Sequence, residues 1–357
     1  MSLISLHISE GIKFLIEGKE ISKEKSELIM KEIMSGKVDE VLIAAYLVAL
    51  RIRGETPDII VGAAKAMRSC SNQIKPKVNE IVCDTCGTGG DGANTFNIST
   101  IAALIAAGAG VKIAKHGNRS ISSKCGSADL LEGFGVKIDL EPSKVEEIIS
   151  RIGIGFMFAP KFHPAMKFAM PVRMKLGMRT IFNILGPLTN PADAKGHVLG
   201  VFNKDLVDVI AKVMLQLDAK KIYVVHSEPG VDEIVPTGNI YISEVKDKEI
   251  ISKIYKPSDF KMRKCKIEDL RGGNLENNIK IAVEILTSKD KGIKRDVSII
   301  NAAHVLLASG KVDTFQEACE LCNDSIETEK ALKKLEQLIK ETGGSIEVFN
   351  SVINRYI

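Results

Sequence analysis

No stretch of the 357 residues is both long and apolar enough to span a bilayer. The best candidate, residues 98–114, is broken by Ser99, Thr100, Gly108, Gly110 and Lys112. The N-terminus lacks the basic start and long apolar core of a secretory leader and carries Glu10 and Glu17, so no leader is expected. Charge of one sign is scarce as well. The 49 basic and 45 acidic residues leave a net +4, evenly spread, which argues against a nucleic-acid surface and suits an anionic small ligand only weakly. Internal repeats and low-complexity tracts are missing. Seven cysteines, an odd count in a long chain without a secretory signal, point to free thiols in a reducing, cytoplasmic compartment. What remains is a globular balance of 45% hydrophobic and 26% charged residues, long enough for one large domain and a smaller one.

The first seventy residues read as helices. Leu3, Leu6, Ile12, Leu15 and Ile16 make an apolar stripe, and further helices are expected over 22–35 and 38–51. Thr56 is a good N-cap, Pro57 fits the first helical position, and Asp58 favours the positive helix end. The polar stretch 71–80 reads as a linker. Beyond it, short apolar runs (81–83, 111–114, 154–159, 197–202 and 221–226) alternate with helical segments, which predicts a mainly parallel sheet covered on both faces. Helical residues 164–185 interrupt that rhythm and are expected to pack with the N-terminal helices. Residues 296–309 and 314–342 read as helical again.

Three loops carry candidate chemistry. In 84–100, glycines at 87, 89, 90 and 92 let backbone N–H groups approach an anion, and an apolar helix follows from Thr100. Asn97, Ser99 and Thr100 add side-chain donors at the same point. The pattern is neither a Walker loop nor a dinucleotide fingerprint, and glycine-rich turns elsewhere merely connect elements. In 115–129, Lys115, Arg119 and Lys124 can each neutralise phosphate charge. Arg119 could equally form a salt bridge, and Ser127 could simply cap the next helix. Ligands of parallel sheets sit beyond the carboxyl ends of the strands, so the two loops should converge. In 228–234, Asp232 and Glu233 suit Mg²⁺ if the loop turns both into one crevice; a solvated acidic turn is the competing reading.

Together these stretches resemble the anthranilate phosphoribosyltransferase family. The likeness runs nearly the full length. It includes Ala49-Leu-Arg-Ile-Arg-Gly-Glu-Thr56, residues 84–91 and 115–119, Phe158-Ala-Pro, His163-Pro-Ala-Met-Lys167, and Arg179-Thr-Ile-Phe-Asn-Ile-Leu-Gly-Pro-Leu-Thr-Asn-Pro191. Gly272-Gly-Asn and Asn301-Ala-Ala extend it toward the C-terminus.

The resemblance implies a nucleoside-phosphorylase-like fold. A small all-helical domain (1–73, with about 164–188 packing on it) would join a large α/β domain with a mainly parallel central sheet (77–357), the site lying in the hinge cleft. It implies a cytoplasmic homodimer of the tryptophan pathway that uses Mg²⁺, two ions, to join phosphoribosyl pyrophosphate to anthranilate. Phosphoribosyl pyrophosphate would lie on Gly87, Gly90, Asp91, Thr95, Asn97, Ser99, Thr100, Lys115, Gly117, Arg119, Ser120, Ser122 and Ser123, with Ser127 nearby. Ser99, Asp232 and Glu233 would serve the metals. Anthranilate would meet Gly87, Asn118 and Arg173, with His116 and His163 lining its path. Lys115, Asn118 and Arg173 would carry catalysis by charge stabilisation and positioning. Two positions depart from the family pattern: Val235 replaces a usual Ser or Thr, and Lys261 replaces a common Gly.

Rival readings are weaker. The Lys-x-Ser-x-Gly-Gly loop of pyrimidine nucleoside phosphorylases is absent. A non-catalytic nucleic-acid-binding relative would show a basic stripe and an eroded acidic pair, yet Asp232 and Glu233 remain. Cys83-x-x-Cys86 and Cys319-x-x-Cys322 have zinc-like spacings, but core cysteines are the better reading. His116, His163, His197 and His226 show no paired metal spacing.

Overall fold

The computed structural model describes residues 6–120 and 124–357; Leu3, Ser122 and Ser123 lie outside the described residues. The chain begins with four helices, Leu6–Ile16, Lys23–Met34, Glu40–Arg53 and Pro57–Ser69. Three start on side-chain caps, in which Ser22, Asp39 and Thr56 accept backbone N–H bonds from Lys25, Val41 and Ile59. Each such cap is worth about 1 kcal/mol. The second and fourth helices touch through Gly62, where a Cβ would come 2.1 Å from the Lys23 carbonyl oxygen. Ile29, Ile33, Leu47, Leu50 and Ile60 fill the core between them. Ala169, Val172, Ile181 and Leu185, from the short helices Met170–Leu176 and Ile181–Leu188 and the residue before them, belong to the same cluster.

A seven-stranded sheet follows: β1 (Val82–Gly87), β2 (Lys112–Gly117), β3 (Ile154–Phe158), β4 (Gly196–Gly200), β5 (Lys221–Ser227), β6 (Ile240–Lys246) and β7 (Glu249–Tyr255). Its order is β3-β2-β1-β4-β5-β6-β7. The first five strands are parallel, and β6 and β7 close one edge as antiparallel strands. The α/β reading with a mainly parallel sheet therefore holds. Strand order reverses between β1 and β4, and such a switch point opens a crevice beyond the carboxyl ends of the two strands. The helix Ile98–Gly108 starts at that crevice. Its residues 100–107 are all buried, packed against Ile293–Ala308 and Lys330–Thr342 as the heart of the main core.

Two expectations needed adjustment. The single helical stretch 314–342 is two helices, Phe315–Glu327 and Lys330–Thr342, broken where Glu329 takes a left-handed conformation (φ 56°). Ser127 does not cap its helix; Gly126 is the N-cap, and the Asp129 carboxylate accepts the Gly126 N–H at 2.8 Å. No described helix is long and apolar enough to cross a membrane.

Candidate active site

The glycine-rich loop leaves β1 at Gly87 and is tied at once to β4. Thr88 N–H donates to the Gly200 carbonyl (3.0 Å), and the Thr88 hydroxyl accepts the Phe202 N–H (3.1 Å). Asp232 comes up against both strand ends. A Cβ on Gly87 would stand 2.2 Å from an Asp232 carboxylate oxygen, and one on Gly200 would stand 1.6 Å from its carbonyl oxygen. Only glycine fits at either place. Gly89, at φ 66°, turns its N–H onto the Asp232 carboxylate at 2.7 Å. Arg179 holds the loop from above, donating to the Gly90 carbonyl while its guanidinium stacks 4.2 Å from the Phe202 ring centre.

Three acids meet there. Burial raises the Asp232 carboxyl above the usual carboxylate range, and the neighbouring Asp91 raises it further, the two side chains sharing a hydrogen bond. Glu233 is raised likewise, by burial and then by Asp232; Lys115 and the Ser99 N–H pull the other way. Lys115 is almost fully buried, its Nζ 2.8 Å from the Thr85 carbonyl oxygen and 3.5 Å from the Ser99 hydroxyl. Three carboxylates facing one ammonium in a partly dry pocket lack positive charge, and an all-oxygen donor set is what a hard divalent cation takes. The competing sequence reading, a solvated acidic turn, is excluded by the burial of Asp232, 8% exposed.

Deeper along the loop, Thr95 forms a bridge with Arg271, and the Asn97 amide donates to the Cys125 carbonyl at 3.2 Å. The Asn97 Oδ1 and the Thr100 hydroxyl are buried without a partner. An unpaired buried polar atom costs about 1–3 kcal/mol, so two at one helix start mark a place shaped for polar ligand atoms. The 115–127 loop is less committed to that point. Arg119 is half-exposed, pairs with Glu132 (2.7 Å) and Asp129 (3.0 Å), and sits over the Phe158 ring. Ser120 N–H donates to Asp129 at 3.2 Å, and the Ser127 hydroxyl donates to the Asn118 carbonyl at 3.3 Å, against the closely packed Gly117. The exposed Asn118 accepts the Arg119 N–H on its side chain.

A second cluster begins with His116, next to Lys115 on β2. The rings of His116 and His163 lie 5.0 Å apart, both buried, each with an unpartnered Nε2. Burial pushes His163 down to about 4 and His116 well below its ordinary value, so both are neutral at pH 7. Arg173 is half-buried over the Phe182 ring (5.4 Å), and among the described residues it has no acidic partner. Burial lowers its pKa. An unpaired, partly desolvated guanidinium on an aromatic wall suits a planar carboxylate. Thr180 and Arg179 were not singled out as site residues by sequence. The Thr180 hydroxyl is buried and unpartnered, and Arg179 clamps the loop. Their only signal was membership of the long run 179–191.

Residues 79–332 match the family described as the glycosyl transferase family, a/b domain, and residues 9–71 match its helical bundle domain. The chain is 45% identical over 337 residues to an anthranilate phosphoribosyltransferase of Persephonella marina, covering 94% of this chain and 99% of that protein. Among solved structures, the Thermus thermophilus anthranilate phosphoribosyltransferase superposes with a TM-score of 0.88 at 39% identity, covering 93% and 99% of the two chains. The Saccharomyces cerevisiae enzyme in complex with phosphoribosyl pyrophosphate and Mg superposes with a TM-score of 0.86 at 27% identity, covering 94% and 98%.

Proposed function

The chain belongs to the anthranilate phosphoribosyltransferase family, and from that premise we propose how its own residues carry the transfer of a phosphoribosyl group from phosphoribosyl pyrophosphate to anthranilate. The reaction releases pyrophosphate and serves tryptophan biosynthesis. One observation carries the assignment of residues: Asp91, Asp232 and Glu233 gather against Gly89, Ser99 and Lys115 at the strand-order switch point.

Displacement at the ribose anomeric carbon passes through an oxocarbenium-like state, and charge developing on the pyrophosphate is the main obstacle. Mg²⁺ held by Asp232, Glu233 and Ser99 supplies positive charge to that leaving group. Three acids facing one lysine leave two negative charges, enough for one Mg²⁺, and the diphosphate brings the charge that a second ion balances. Backbone N–H groups of residues 90–92 and of the start of the 98–108 helix receive phosphate oxygens, with Thr100 supplying its unpartnered hydroxyl, while the unpartnered Asn97 Oδ1, an acceptor, takes a sugar hydroxyl. Gly90, Asp91 and Thr95 form the rest of that cradle, and the 117–127 loop closes on it. Lys115 adds a fixed point charge. Arg173 receives the anthranilate carboxylate, and Asn118 orients the amine. That amine is already neutral at pH 7, so no general base is needed. Neutral His116 and His163 exclude water from its path.

The apolar residues Val41, Ala45, Val48 and Ile52 follow one stripe of the 40–53 helix, and Val41 and Ile52 are 74% and 79% exposed. Covering that stripe with a second copy makes the homodimer. Cys70, Cys83, Cys86, Cys265, Cys319 and Cys322 are free thiols, in keeping with a reducing cytoplasm. Loss of anthranilate fluorescence with phosphoribosyl pyrophosphate, with and without Mg²⁺, tests the whole assignment. Arg173→Ala should raise the anthranilate KM; an unchanged KM removes Arg173 from the carboxylate site.

A further inference from the structure

Behind the phosphate loop lies a second group of ligand-bearing side chains that the transfer reaction does not use. Asp84 and Cys86 alternate along β1 and so face the same side of the sheet. His197 on β4 pairs in register with Asp84. The three converge. Cys86 Sγ is 3.3 Å from His197 Nε2 and 3.7 Å from Asp84 Oδ2, and Nε2 and Oδ2 are 3.9 Å apart.

We propose that Asp84, Cys86 and His197 bind a thiophilic divalent cation of the Zn²⁺ type, fastening β1 to β4 beneath the glycine-rich loop.

The geometry carries the claim first. A point equidistant from the three ligand atoms lies about 2.1 Å from each, within the range of zinc bonds to imidazole, carboxylate and thiolate. The donor chemistry comes next. One thiolate and one imidazole favour zinc over magnesium, so this site and the all-oxygen cluster would sort different ions. Charge is the third point. With the thiol proton released to solvent, one thiolate and one carboxylate neutralise a divalent ion, and a neutral cluster is the least costly to bury. The surroundings also hold the ligands in place. Asn190 Nδ2 donates to Asp84 Oδ2 at 2.7 Å, Thr85 N–H donates to Oδ1 at 2.7 Å, and the His116 N–H is shared between Oδ1 (3.3 Å) and Oδ2 (3.4 Å), which fixes the carboxylate. Cys86 is half-buried, whereas Asp84 and His197 are closed to solvent, so the thiol is the side of entry. Cys83 takes no part, since it points to the opposite face of β1.

Co²⁺, a spectroscopic stand-in for Zn²⁺, tests this on the full-length chain with Mg²⁺ in excess. One equivalent should produce a thiolate-to-cobalt charge-transfer band that Zn²⁺ displaces. Cys86→Ala and His197→Gln should each abolish it. Asn190→Ala should weaken cobalt binding about 10- to 100-fold. Asp232→Asn should leave the band intact. No band in the parent chain, or a band surviving Cys86→Ala, overturns the proposal. Should Cys86→Ala fail to fold, X-ray absorption of the zinc-loaded parent chain decides: one sulfur with nitrogen and oxygen ligands supports the site, and a shell with no sulfur or several removes it.

Discussion

Lys261, one of two positions where the resemblance leads to a different residue, stands in a backbone conformation that suits glycine. The residue adopts φ 57°, ψ 26° after a short 3₁₀ turn, a left-handed conformation that glycine takes without a Cβ clash. Its side chain is exposed and only reaches Gln316 at 3.5 Å. Lys261→Gly should therefore stabilise the fold by up to about 1 kcal/mol in urea denaturation; a loss of stability would show that the lysine contact outweighs the backbone strain. Gly200 is the opposite case. The atom facing its missing Cβ is backbone, so Gly200→Ala must displace Asp232, costing at least about 1–3 kcal/mol and weakening Mg²⁺ binding as well. Unaltered Mg²⁺ affinity in that variant would separate Asp232 from the metal. His304 supplies a pH-dependent term. It is buried among Tyr223, Phe260 and Phe315, and burial pushes its pKa down to about 4. The unfolded chain protonates near 6.5, so this stability is whole above about 6.5 and is lost as pH falls toward 4, by about 3 kcal/mol at most. His304→Phe should flatten the stability–pH curve across that window.

At the level of elements, the sequence was most legible where period and punctuation agreed. Thr56-Pro57-Asp58 does start a helix, because caps and fixed φ act locally. All five parallel strands were readable as apolar runs, although β1 and β2 extend further into polar residues than their hydrophobicity suggested. The hairpin β6–β7 went unread. Its turn is Asp247-Lys248, both at positive φ (51° and 66°), without the glycine that normally announces such a turn, and β7 is mostly exposed. Of the site, the glycine-rich loop was legible, whereas the Asp84–Cys86–His197 group was not, since its third member comes from a strand more than a hundred residues away. The loop and acid cluster also respond to pH as a unit. Carboxyls raised by burial and mutual repulsion hold protons that Mg²⁺ must displace. Mg²⁺ should accordingly raise the melting temperature more at about pH 8 than at about pH 6. An equal shift at both values would mean that these acids are not its ligands.

For the whole molecule, the site depends on two bodies of structure meeting. The strand ends and the 98–108 helix present the proposed phosphate cradle. The segment 164–188, which shares its core with the N-terminal helices, carries Arg173, Arg179 and Thr180. Gly36 shows how closely these parts fit: a Cβ there would come 2.4 Å from the Phe168 ring. The exposed stripe on the 40–53 helix belongs to the same scale. Val41→Glu with Ile52→Glu should leave the chain folded but monomeric by sedimentation; an unchanged sedimentation coefficient would place the contact elsewhere.

The account rests on one grouping, acids, amides and lysine around a metal-bound diphosphate at the β1–β4 crevice. Anomalous scattering from Mn²⁺, substituted for Mg²⁺ in a crystal grown with phosphoribosyl pyrophosphate, tests it most directly. The account predicts peaks within coordinating distance of Asp232 and Glu233, with the pyrophosphate resting on residues 87–100. Manganese and sugar donor bound together anywhere else, with those two acids left bare, would contradict it.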